Sequence, residues 1–168
     1  KGTSPLLLAV ENGHFELAVR LLEAGADPND QRSGFTALHA ITWVRKPNLG
    51  DGVDGDPAPN GSGNVTSLQF VRELIERGAA VNSRLRRGRS GRGRLSHAGA
   101  TPFLFASDTA DVQLMRLLLE LGADPTLMNA DRCPPLLAAA GIGTLAPGEE
   151  AGTEDEAVRA VQLLLDLG

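Results

Sequence analysis

The chain has 168 residues, 42% of them hydrophobic and only 4% aromatic, with a formal net charge of -5 at pH 7. That is apolar enough for a sizeable core. The scarcity of rings suits thin layers of Leu-, Ala- and Val-rich helices, and the negative balance gives no general attraction to nucleic acid. Cys133 is the single cysteine, which excludes an internal disulfide, and no apolar run reaches the length of a membrane-spanning helix.

From the N-terminus, Ser4-Pro5-Leu6-Leu7 reads as a helix start, with a hydroxyl N-cap followed by proline at the first helical position. A second helix follows, with Phe15, Leu17, Ala18, Leu21 and Leu22 predicted as its buried stripe and Gly25 as its terminator. The pattern restarts at Thr36-Ala37-Leu38-His39, continues in Leu68, Phe70, Val71, Leu74 and Ile75, and ends at Gly78. Its third copy runs without interruption from Gly99 to Thr126: Thr101-Pro102-Phe103-Leu104, then Val112, Leu114, Met115, Leu117, Leu118 and Leu119, then Gly122. The fourth starts at Pro134-Pro135-Leu136-Leu137 and closes with Val158, Ala160, Val161, Leu163, Leu164, Leu165 and Gly168. One such helix pair cannot bury both of its apolar faces, so the units must stack.

Ser4 to Gly25 and Thr101 to Gly122 each span 21 residues, whereas Thr36 to Gly78 spans 42, Gly78 to Thr101 spans 23 and Pro134 to Gly168 spans 34. The intact copy therefore locates insertions at about 45–65, 84–95 and 143–155. The units fall at about 1–32, 33–84, 85–128 and 129–168, forming one repeat domain. Lys1 and Gly168 both fall in mid-pattern, so the segment reads as a piece of a longer array. A signal peptide is not visible, and soluble, cytoplasmic and exported settings all stay open.

Three motifs, Thr36-Ala37-Leu38-His39-Ala40, Asn12-Gly13-His14-Phe15 and Leu21-Leu22-Glu23-Ala24-Gly25-Ala26-Asp27-Pro28-Asn29, resemble ankyrin repeats. The likeness covers nearly all of the chain outside the insertions. It implies an all-α repeat solenoid of stacked helix–turn–helix layers joined by β-hairpin fingers. It also implies a concave face, built from fingers and first helices, that binds other proteins. Ala37 stands where the family has proline, Pro134 where it has threonine, and Arg132 where it has a turn glycine.

The insertions hold the candidate sites. The first is rich in Gly, Pro, Asn and Asp. Its Asp51, Asp54 and Asp56 offer oxygen ligands for Ca²⁺, although the EF-hand spacing is not met and the final Glu is missing; a turn-rich surface loop is the competing reading. Trp43, the only tryptophan, precedes this loop at a surface-facing position. It is a candidate partner contact unless the extra residues fold back over it. The second insertion carries Arg84, Arg86, Arg87, Arg89, Arg92 and Arg94, a run suited to an acidic partner or simply to water. No aromatic lies within it to stack on bases. The third holds Glu149, Glu150, Glu154 and Asp155. With Asp108 and Asp111 of the intact copy, these acids predict an acidic rim opposite a basic finger, suited to steering a polar partner or a second copy of the chain.

No catalytic constellation emerges. His14 and His39 read as structural histidines, His97 has no spaced partner for a metal, and Cys133 has no histidine beside it. The expected function is a non-catalytic scaffold that binds another protein through its concave face and fingers. Alternatives are a Ca²⁺-binding repeat protein and a regulatory repeat segment of a larger enzyme or effector. Beyond Ca²⁺ no cofactor is expected. Long insertions and a Gly- and Arg-rich composition fit a bacterial source.

Overall fold

A computed structural model describes residues 2–47, 58–86, 95–144 and 151–168. Asp51, Asp54, Asp56, Arg87, Arg89, Arg92, Arg94, Glu149 and Glu150 lie outside the described residues. The elements are α1 (Pro5–Glu11), α2 (Phe15–Glu23), α3 (Ala37–Arg45), α4 (Ser67–Glu76), α5 (Pro102–Asp108), α6 (Val112–Glu120), α7 (Pro135–Ala139) and α8 (Glu154–Asp166). Each first helix packs on the second helix of its pair, and the first helices stack in the order α1, α3, α5, α7. Among the described residues no helix is long and apolar enough to cross a membrane.

Local chemistry sets the helix ends. The side chains of Ser4, Thr36 and Thr101 accept from the backbone N–H of Leu7, His39 and Leu104 at 3.2, 3.4 and 3.2 Å. Each cap of this kind stabilises its helix by about 1 kcal/mol. Gly25, Gly78 and Gly122 follow the second helices at φ of 91°, 94° and 93°. That left-handed turn lets the N–H groups of Ala26, Ala79 and Ala123 donate back to Leu21, Leu74 and Leu118. Between the layers runs one core containing Leu6, Leu38, Ile41, Phe70, Leu74, Phe103, Leu114, Met115 and Leu118, all at most 2% exposed. Each buried side chain of this size contributes about 1.5–3 kcal/mol. Three residues predicted to be buried are not: Leu17, Val158 and Leu165 are exposed, at 51%, 62% and 57%. At about 100° per residue each lies well round its helix from the buried positions, on the face that meets solvent.

The fingers depart from the β-hairpins that the resemblance implied, since among the described residues there is no strand. Short polar side chains take the place of a ladder. Asp27 Oδ1 accepts from Asn29 N at 2.8 Å, Asp30 Oδ1 from Arg32 N at 2.9 Å and Asp124 Oδ1 from Thr126 N at 2.8 Å. These Asx turns use the N–H groups a partner strand would need, and Pro28 and Pro125 have none to give. In the second finger Leu85 N donates to Ala100 O and Leu85 O accepts from Gly99 N, each at 2.9 Å.

The returning legs of the first and third insertions lie against neighbouring layers. The returning leg of the first crosses the α1–α2 turn so closely that a Cβ on Gly61 would collide with the carbonyl oxygen of Gly13. Ser62 Oγ lies 3.0 Å from His14 Nδ1, and Asn64 N donates to Glu16 Oε2 at 3.1 Å. Gly152, on the returning leg of the third insertion, sits against the α5–α6 turn, where a Cβ would meet the Thr109 carbonyl oxygen at 2.9 Å. At the second insertion, Leu85 and Leu95 are buried in a smaller core with Ala100, Leu104, Phe105, Cys133 and Ala138.

Candidate functional site

The first helices repeat a simple register. Seven residues after the caps Ser4, Thr36 and Thr101 stand Glu11, Trp43 and Asp108, all half-buried near the ends of α1, α3 and α5. They form a column, acid–tryptophan–acid, across three stacked layers. Counting seven from each cap exposes this column in the sequence.

Trp43 is neither a free surface side chain nor covered by the described part of the insertion that follows it. Residues 58–65 turn instead onto the first layer. What flanks the indole is Phe35 from the preceding finger, with centroids 5.1 Å apart at 80°, and Phe105 from α5, 6.1 Å apart at 81°. Both are edge contacts, the favourable arrangement for ring quadrupoles. Phe105 also meets His97 edge-on at 4.9 Å and His39 at 6.1 Å. The sequence singled out Trp43 without these neighbours, which come from a finger and the next layer.

His39 is a structural histidine. Thr36 N donates to its Nδ1 at 3.3 Å, and its Nε2 lies 3.2 Å from the carbonyl of Ala100. These partners fix the tautomer with the proton on Nε2. Burial lowers its pKa from 6.5 to about 4, against the smaller opposing effect of the carbonyl contacts. Cys133 is also buried; desolvation first, and the charges of Asp108 and Asp131 second, push its thiol up, away from the thiolate a nucleophile needs.

The acidic rim looks different in three dimensions. Asp111 is 3% exposed, caps α6 by accepting from Leu114 N at 3.1 Å, and takes both arms of Arg45 at 2.7 and 3.0 Å. Glu156 completes the capping box of α8 with Thr153 and pairs with Lys46. That bond to Lys46 is the main reason its carboxyl is held below the usual range. Glu154 and Asp155, placed in a loop by the sequence reading, lie in the first turn of α8, where negative charge complements the helix dipole. Asp111, one of the expected rim acids, and Glu156, just beyond them, therefore work as fasteners between layers.

Of the arginine run, Arg84 and Arg86 are described and both are exposed. Arg84 donates to the carbonyls of Gly99 and Met128 at 3.0 and 2.8 Å, tying the second finger to the third. Glu11 is the residue that sequence reasoning missed. Desolvation raises its pKa.

Residues 6–40 match the family profile described as ankyrin repeats (many copies). A stretch of 71 residues, 42% of this chain, is 38% identical to the ankyrin repeat and LEM domain-containing protein 1 homolog of Caenorhabditis elegans. The match spans 8% of that relative's length.

Proposed function

From the premise that this chain belongs to the ankyrin-repeat family, we propose that it is a non-catalytic scaffold. It holds a protein partner on the face formed by its first helices and fingers. Ankyrin repeats are in general protein-interaction modules. The observation that carries the reading is Trp43: a large ring left partly exposed, yet fixed between Phe35 and Phe105. Aromatic anchors of this kind lose little side-chain freedom on binding and dominate interface energetics. Leu8 of α1 and Met128 of a finger are exposed apolar side chains, at 50% and 45%. The second helices, by contrast, fasten their outer surface with salt bridges such as Arg72–Glu120 at 2.8 Å.

Position-specific photo-crosslinking tests this reading. A crosslinker placed at Leu8, Arg86 or Met128 captures protein from extracts of the source cells, while one at Gln113 or Arg116 on α6 captures little. Equal labelling from both faces contradicts it.

A further inference from the structure

Resting on that reading, we propose the chemical class of the partner's anchor. An arginine side chain in an extended basic segment lies against the exposed part of the Trp43 ring, with Glu11 as its principal counter-charge.

Trp43 provides the platform. Its ring is fixed by two perpendicular phenyl contacts and stays partly exposed among the described residues, and its indole N–H donates to no group among them. A guanidinium over an indole gains cation–π attraction. Arginine suits this better than lysine, because its planar fork can stack on the ring and still offer N–H donors to a carboxylate.

Glu11 provides the charge. It stands at the equivalent register position one layer away, on α1, which packs directly against α3. Packed helices are about 8–10 Å apart, a gap an arginine side chain on the ring can bridge. Among the described residues Glu11 has no cation within ion-pair distance, although burial already disfavours its charged form. An arriving guanidinium relieves that penalty. Asp108, on the other side of Trp43 and engaged in a contact of its own, adds negative potential that already reaches Cys133.

Three of the described arginines, Arg45, Arg32 and Arg84, are committed elsewhere. Arg45 is held by Asp111, Arg32 by Asp30 at 2.7 Å and Arg84 by two finger carbonyls. Arg84 is thereby fixed as a structural tie, so the arginine run does not by itself make the partner acidic.

Trp43 is the only tryptophan, so its emission reports on this site alone. The test titrates the 168-residue chain with a blocked Gly-Arg-Gly-Arg-Gly pentapeptide, and separately with the same peptide carrying neutral citrulline for arginine. The expected result is a saturable change in emission with the arginine peptide and none with citrulline. Glu11→Gln should weaken the arginine response at least threefold with an unchanged melting temperature, and Glu11→Asp should restore part of it. No response to the arginine peptide, an equal response to citrulline, or an unaltered affinity in Glu11→Gln overturns the proposal. If the arginine peptide is silent while crosslinkers at Leu8 and Met128 still capture protein, only the guanidinium assignment falls. If capture fails too, the interaction reading falls with it.

Discussion

The junction between the second and third layers and the docking of the fourth layer use different means. At the first, α3 and α5 stack through Trp43 and Phe105, and Arg45 reaches across to hold Asp111 at the start of α6. The amide of Asn82 also spans the gap, donating to the Gly122 carbonyl at 3.2 Å and accepting from Asp124 N at 2.9 Å. Asn29 does the same between the first and second layers, with Gly78 and Ala80. At the fourth layer Thr126 occupies the equivalent position and turns its hydroxyl to its own Asp124 at 2.6 Å. The helix α7 starts after Pro134, which gives no side-chain cap, and is five residues long. Fastening falls to the half-exposed Lys46–Glu156 pair, the close seat of Gly152, and finger bonds from Asn129 Nδ2 to the Ser96 carbonyl at 2.7 Å and from Ala130 N to the Ala98 carbonyl at 2.8 Å. The contrast teaches where the repeat is rigid: the layers that carry Trp43 are cross-braced, and the last layer is packed on.

The largest effect on this contrast should come from Arg45. Arg45→Ala leaves a buried carboxylate at the α6 N-terminus without its partner, at a cost of roughly 3 kcal/mol. A urea titration reads this as a lower midpoint. Adding Asp111→Asn, which keeps a cap and removes the stranded charge, should recover much of the loss; no recovery would mean that Arg45 acts mainly by packing.

Acid should loosen the same region. The folded pKa of His39 is about 4, below its ordinary 6.5, so the unfolded chain takes up the proton first. The stability tied to neutral His39 is fully present above pH 6.5, falls as pH drops through that value, and is gone near pH 4. The span corresponds to roughly 3 kcal/mol at most. Melting temperatures should fall over this window, and the fall should be shallower in His39→Gln. Glu156 loses its bond to Lys46 on protonation, so it steepens the decline only at lower pH.

Smaller changes sharpen the comparison. Asn82→Ala removes both amide bonds and should cost about 1–2 kcal/mol. Ser107→Ala, in the same third layer, removes only a bond to the Phe103 carbonyl within its own helix and should cost less. Arg132→Gly should stabilise slightly, by about 0.5 kcal/mol. Arg132 sits at φ 59°, a left-handed backbone that costs an L side chain about 1 kcal/mol, offset in part by the freedom glycine gives the unfolded chain.

Much of this layering is legible in sequence because its signals are local. Ser4, Thr36 and Thr101 mark the starts of first helices, and Gly25, Gly78 and Gly122 mark the ends of second helices, through bonds made within a few residues. Arg132 stood out for the same reason, as a side chain at a glycine position. The ties that join layers are not local. Asp111 reads as a surface acid until Arg45, sixty-six positions earlier, is seen against it. Trp43 was visible, but its bracing by Phe105 depends on which helix stacks beside α3. The fingers show the opposite failure. Asp27, Asp30 and Asn129 were in plain view as turn-forming side chains, and the β-hairpins implied by the resemblance were carried past them.

Native-state amide hydrogen exchange tests the central claim most directly, that the second and third layers form the braced platform and the fourth is the loosest. The amides of Leu114 to Leu118 should exchange slowest, close to the rate of global unfolding, and those of Val161 to Leu165 in α8 distinctly faster. Equal or greater protection in α8 would contradict it.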